Sequence, residues 1–175
     1  MNSKKRRDNI RELLRKANEP LKGQSLAEML SVTRQVIVKD IAIIRAEGLN
    51  VIATPEGYMI PNDNTSRVKR VIAVSHQRNM MEDELKTIVK YGGTIEDVIV
   101  EHPLYGEIKG MLMIKNLFDL ESFIEKFTNY GAEPLSTLTN GIHLHTISAD
   151  NFEIMNKIVS ELSSKGFLAE EKDKE

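Results

Sequence analysis

Apolar residues recur at helical spacing through the first fifty positions. Ile10, Leu13, Leu14 and Ala17 stand at i, i+3, i+4 and i+7, which gives one apolar face of a helix over residues 6–18. Glu19-Pro20 ends it, because the residue before a proline is pushed out of the helical region. Ser25-Leu-Ala-Glu28 spells a capping box and starts a second helix that runs to about Leu30. After a short turn at Ser31-Val32, a third helix runs from about Thr33 to Glu47. Ile37, Ile41 and Ile44 lie on one face of it, and Gly48 suits a left-handed cap. The period then changes. Two short strands, near 50–53 and 58–60, are joined by Thr54-Pro55-Glu56-Gly57, with proline and glycine at turn spacing.

The polar stretch Pro61-Asn-Asp-Asn-Thr-Ser66 marks a domain boundary. Beyond it the pattern predicts strand 68–76, helix 79–91, strands 97–101 and 107–114, helix 119–130, strands 134–138 and 142–147, and helix 151–165. Several strands follow one another directly. That predicts an α+β sandwich and not a doubly wound sheet. The expected organisation is a winged helix-turn-helix over residues 1–62 and an α+β domain over 67–170. The tail Glu170–Glu175 is charged and expected to fray.

Composition narrows the chemistry. The 175 residues are 41% hydrophobic and 29% charged, which fits a folded globular chain. No apolar run approaches the roughly 18 residues of a membrane span. Met-Asn-Ser-Lys-Lys-Arg-Arg at the start has no apolar stretch behind it, so a secretory signal is not expected and a cytoplasmic location is. There is no cysteine, so any metal must use histidine, carboxylate or water. Residues 1–66 carry 11 Lys/Arg against 8 Asp/Glu, while the rest carries 13 against 18. The front half is therefore the one suited to an anionic polymer.

In a helix-turn-helix the second helix lies in the major groove. Arg34 stands at the start of the third helix. Gln35, Lys39 and Ala42 lie opposite its isoleucine face. Arg and Gln make bidentate contacts to guanine and adenine edges, and Lys meets phosphate. Lys4, Lys5, Arg6 and Arg7 form a basic arm expected to add backbone contacts, while Glu56 at the wing tip adds little.

The second half contains a different cluster. Asn-Gly-Ile-His-Leu-His-Thr places His143 and His145 two residues apart in a strand, so both rings face one way and Leu144 the other. His76 closes the apolar strand Val71-Ile-Ala-Val74. In the next helix Glu84 lies at one margin of the core face, Glu82 near the other, and Asp83 points away. One strand-end histidine, one helical glutamate and an in-strand pair would make a three-nitrogen, one-oxygen site suited to Zn, Ni, Fe or Co. His102, before Pro103, reads as a loop or pocket residue and not a ligand.

The run from Leu26 to Ala42, with Arg45-Ala-Glu-Gly and Ile52-Ala-Thr-Pro-Glu-Gly-Tyr58, resembles the winged helix of the niacin-responsive repressors. Val-Ile-Ala-Val-Ser-His76, Glu-His-Pro-Leu-Tyr-Gly-Glu107 and Gly-Ile-His-Leu-His-Thr146 resemble their 3H ligand-binding domain. The resemblance implies a homodimeric repressor of NAD-biosynthesis or niacin-uptake genes, binding operator DNA with nicotinic acid as corepressor. It also implies a divalent metal held by His76, Glu84, His143 and His145, selecting Glu84 over Glu82. From the third helix's own pattern the DNA-contacting residues are expected to be Thr33, Arg34, Gln35 and Lys39, and neither a membrane partner nor enzymatic activity is expected. Two alternatives stand beside it. One is a repressor that senses the metal alone. The other is a metal-dependent hydrolase with a DNA-binding appendage, for which Glu82, Glu101 and Glu107 are the nearby bases.

Overall fold

The computed structural model describes residues 2–61 and 66–169. Most of the turn-rich stretch expected at 61–66, and the tail expected to fray at 170–175, lie outside the described residues. The chain divides into two compact units at Thr65/Ser66.

The first unit holds α1 (Ser3–Lys16), α2 (Gly23–Met29), α3 (Arg34–Ala46) and the hairpin β1 (Ile52–Thr54) and β2 (Gly57–Met59). Ile10, Leu14, Leu26, Ile37, Ile41, Ile44 and Val51 form its core. The helix starts differ from the apolar periodicity. Asn2 caps α1, its side chain accepting the Lys5 N–H at 2.9 Å, so the helix begins in a polar segment that carries no apolar signal. The Ser25–Glu28 box does not start α2. That helix begins at Gly23, and its cap, Lys22, makes no side-chain cap bond. The chain is pinned one residue earlier by Leu21, whose N–H and C=O exchange bonds with Tyr58 at 2.8 and 2.9 Å. Leu21 thus adds a rung to the wing. Gly57, at φ +141°, has to be glycine there, because a Cβ would lie 2.4 Å from the Leu21 carbonyl oxygen.

The second unit runs β3 (Val68–Ser75), a 3₁₀ turn (Arg78–Met80), α4 (Met81–Lys90), β4 (Thr94–His102), β5 (Gly106–Ile114), α5 (Leu117–Asn129), β6 (Ile142–Ala149) and α6 (Phe152–Ser164). The strands form one sheet in the order β3-β6-β4-β5, each neighbouring pair antiparallel. In the β3/β6 register Ile72 pairs with His145, Val74 with His143 and Arg70 with Ile147. Partners in a pair share a face. The histidine face is therefore the core face, on which Leu85 and Ile88 of α4, Leu120 of α5, and Met155, Ile158 and Leu162 of α6 pack.

The strand expected at 134–138 does not form. Pro134 leads into a 3₁₀ turn over Leu135–Thr139, ending on Asn140 in the left-handed region. Thr139 Oγ1 donates to the Ser136 carbonyl at 3.2 Å and bonds the Ile142 carbonyl. Local side-chain bonds of this kind compete with a ladder despite the strand-like composition. After α6 the chain returns beside β3. Ser75 N–H donates to the Phe167 carbonyl and Ala169 N–H to the Ala73 carbonyl, both at 2.9 Å. That covers part of a sheet edge which would otherwise be open.

Candidate metal centre and nucleic-acid interface

In the first unit, Thr33 caps α3, its hydroxyl accepting the Val36 N–H. Ile37, Ile41 and Ile44 turn inward. Arg34, Gln35, Val38, Lys39 and Ala42 are exposed. Their spacing, i, i+1, i+4, i+5 and i+8, gives one continuous stripe along the helix. Val38 was not singled out by residue type. It belongs to the same face, where an apolar side chain can contact a thymine methyl.

The basic arm is corrected by the structure. Residues 3–16 are helical, and two of the four cations are engaged internally. Arg6 Nε lies 2.5 Å from Asp40 Oδ2, and Arg7 Nη1 lies 3.7 Å from Asp40 Oδ1. Asp40 is buried in α3. A buried carboxylate needs this pairing, so Arg6 and Arg7 hold α1 against α3.

In the second unit the sheet and one helix bring His76, Glu84 and His143 into one group, with His145 beside Glu84 but outside that group. β6 supplies His143 and His145, the end of β3 supplies His76, and the first turns of α4 supply Glu84, which is fully buried. Nε2 of His76 is 2.8 Å from Glu84 Oε2, and Nε2 of His143 is 3.7 Å from the same oxygen. Nε2 of His145 is 3.4 Å from Oε1. The potential ligand atoms of His76, Glu84 and His143 all lie within 4.8 Å of one another. Successive rings meet edge to face, His76 to His143 at 4.9 Å and His143 to His145 at 4.8 Å.

The opposite ring nitrogens fix what these groups can do. Nδ1 of His76 bonds the Gln77 carbonyl at 2.9 Å, Nδ1 of His143 the Gly141 carbonyl at 2.9 Å, and Nδ1 of His145 the Asp97 carbonyl at 2.5 Å. A carbonyl only accepts, so each Nδ1 carries a proton. In the neutral ring the Nε2 lone pair then faces the carboxylate. Lone pairs set against a carboxylate require a positive species between them, either protons on the rings or a cation. Buried Glu84 Oε1 makes no hydrogen bond, and among the described residues it shares that state only with Arg67 Nε. Both observations fit a metal ion, as does the donation of each second ring nitrogen to a backbone carbonyl.

Burial opposes the charge on Glu84, but the facing imidazoles, His145 foremost, outweigh it and hold its carboxyl well below the usual range. Burial would lower His76 and His145. The Glu84 carboxylate overrides it and raises both.

The other candidate residues fall elsewhere. His102 Nδ1 accepts the N–H groups of Leu104 and Tyr105 at 3.1 and 3.3 Å, so it caps the β4–β5 turn. Glu82, Glu101 and Glu107 are exposed, and Glu84 is the carboxylate at the cluster. Two supports were not singled out from sequence. Asp97 serves His145. Gly141, at φ +95°, serves His143, and a Cβ on it would lie 2.6 Å from the His76 carbonyl oxygen. The Asn140-Gly141 dipeptide is the turn signal from which a bend here could be read. Beside the cluster lies a cavity of about 300 Å³ whose walls include His76, Gln77, Asn79, Lys165 and Phe167. Lys165 there is paired with Asp83 at 2.9 Å. Among the described residues, no helix is long and apolar enough to cross a membrane.

Comparison with known proteins gives two domain matches, an HTH domain over residues 6–59 and a 3H domain over residues 69–171. The chain is 46% identical over 162 residues to a probable transcription repressor NiaR of Thermotoga maritima, covering 93% of this chain and 92% of that protein. It is 35% identical over 166 residues to the transcription repressor NadR of Bacillus subtilis, again covering 93% and 92%.

Proposed function

Because this chain belongs to the niacin-responsive repressor family, with an HTH domain followed by a 3H domain, we propose that it represses NAD-biosynthesis or niacin-uptake genes with nicotinic acid as corepressor. It acts in the cytoplasm as a homodimer on operator DNA. Arg34 and Gln35 read base edges, Lys39 meets phosphate, and Thr33 lies at the helix start that enters the groove. His76, Glu84, His143 and His145 hold a divalent transition metal, Zn, Ni, Fe or Co.

The observation that carries the metal reading is the fully buried Glu84 carboxylate, faced by three Nε2 atoms with one oxygen unbonded. A divalent metal held by these residues would supply a Lewis-acidic position for a carboxylate or a pyridine nitrogen. The cavity against His76 is large enough for a single substituted ring. Gln77 and Asn79 offer amide groups there, and His76 links its wall to the cluster.

Nicotinate acts by population shift. It must bind the DNA-competent dimer better than the incompetent one, and the difference in affinity is all that is available for coupling. The test is a mobility-shift assay on the chain's own promoter with and without nicotinate, alongside sedimentation at micromolar concentration. A dimer whose shift tightens with nicotinate supports the reading. Tightening with metal alone, indifferent to nicotinate, moves the protein to a metal sensor. A monomer that ignores the promoter contradicts both.

A further inference from the structure

Asp97 sits inside β4 and is 3% exposed, an unusual place for a carboxylate. The strand loses its register there. Pairing with β5 shifts between Ile95 and Asp97, and pairing with β6 shifts between Ile95 and Ile99. A bulge leaves ladder groups unpaired, and buried backbone groups must find partners elsewhere. Here one residue supplies both substitutes. Asp97 Oδ1 accepts the Thr146 N–H at 2.8 Å, taking the place of a ladder carbonyl. The main-chain carbonyl of Asp97 is thereby free to accept Nδ1–H of His145 at 2.5 Å.

We infer that Asp97 is a positioning residue for the metal centre. Its carboxylate holds the bulge open, and its own carbonyl sets the tautomer and orientation of His145. This rests on the metal reading above. Lys109, 3.3 Å from Asp97 Oδ2, is half exposed and contributes little by itself. The hydrogen bond to Thr146 is the determinant, because it decides which backbone group faces the imidazole. Loss of such outer support lowers metal affinity by about 10–100-fold.

The test uses the full chain as wild type, Asp97→Ala and Asp97→Asn, each stripped by chelator and checked for fold by circular dichroism. Ni(II) is titrated by calorimetry, and the Co(II)-loaded forms are compared by visible spectrum. Asp97→Ala is expected to bind about 10–100-fold more weakly, with altered cobalt bands. Asp97→Asn keeps an amide oxygen for the Thr146 N–H and is expected to restore affinity and spectrum. An alanine variant with wild-type affinity and bands overturns the inference. So does an asparagine variant as weak as the alanine, since charge and not the hydrogen bond would then be decisive. If Asp97→Ala does not fold, Asp97→Ser, too short for the same bond, is read by the same two outcomes. A wild-type chain that takes up neither ion removes the metal reading itself.

Discussion

Glu84 carries a charge that its surroundings would not tolerate without a positive partner. His76 and His145 are raised by that carboxylate despite their burial, and Glu84 is lowered by them. The pH consequences have opposite signs for the metal-free and metal-loaded protein. Raised histidines stabilise the fold below the unfolded value of 6.5, and that contribution is lost as pH rises through their folded values. The lowered Glu84 contributes above 4.5 and loses its effect as pH falls through its folded value. The metal-free cluster therefore stabilises most between 4.5 and 6.5. Metal competes with protons for Nε2, so its stabilisation grows with pH. Thermal melts with Ni(II) and with chelator, at pH 5.5 and 8, are expected to show a larger metal-induced rise in Tm at the higher value. An equal rise at both would mean that the imidazoles do not bind the ion. The His-x-His pair was legible because strand alternation fixes which way side chains point. The helical wheel left Glu84 and Glu82 open, because both sit at margins of the core face; the family resemblance selected Glu84, and the packing buries it beside the histidines.

At the level of elements, α3 divides its faces between a core of three isoleucines and an exposed stripe from Arg34 to Ala42. Arg34→Ala and Gln35→Ala are each expected to weaken specific DNA binding by about 1–3 kcal/mol while leaving the melting temperature in place. Operator titrations that match wild type for both would remove α3 as the reading helix. Arg6→Ala is expected to act differently. It leaves buried Asp40 with the more distant Arg7 as its ion pair among the described residues, so stability falls by up to about 3 kcal/mol. The salt dependence of DNA binding should stay as in wild type, because a side chain tied to Asp40 neutralises no phosphate. Denaturant unfolding and salt titrations separate these results. A shallower salt slope with unchanged stability would restore Arg6 to a phosphate-contacting arm. Sequence alone placed Arg6 in such an arm because no local pattern shows a pairing between residues 34 apart. The capping asparagines Asn2, Asn116 and Asn151 mark true helix starts. The Ser25–Glu28 spelling does not, because the Leu21–Tyr58 bridge fixes that entry first.

For the whole molecule, the order of periodicities along the chain was enough to give a winged helix followed by an α+β unit. The 3₁₀ turn at Leu135–Thr139 and the return of residues 167–169 beside β3 escaped it, since both depend on partners distant in sequence or on side-chain bonds to the backbone. The central claim is that the second unit sets the DNA affinity of the first through ligand bound at the metal cluster. The most direct measurement is operator affinity at fixed salt, as a function of nicotinate, for metal-loaded wild type and for Glu84→Gln. Wild type is expected to tighten about 5–150-fold, the usual range of allosteric coupling. Glu84→Gln, lacking the carboxylate on which the histidines converge, is expected to keep basal DNA binding and lose the nicotinate response. A Glu84→Gln protein that responds to nicotinate like wild type would contradict the account.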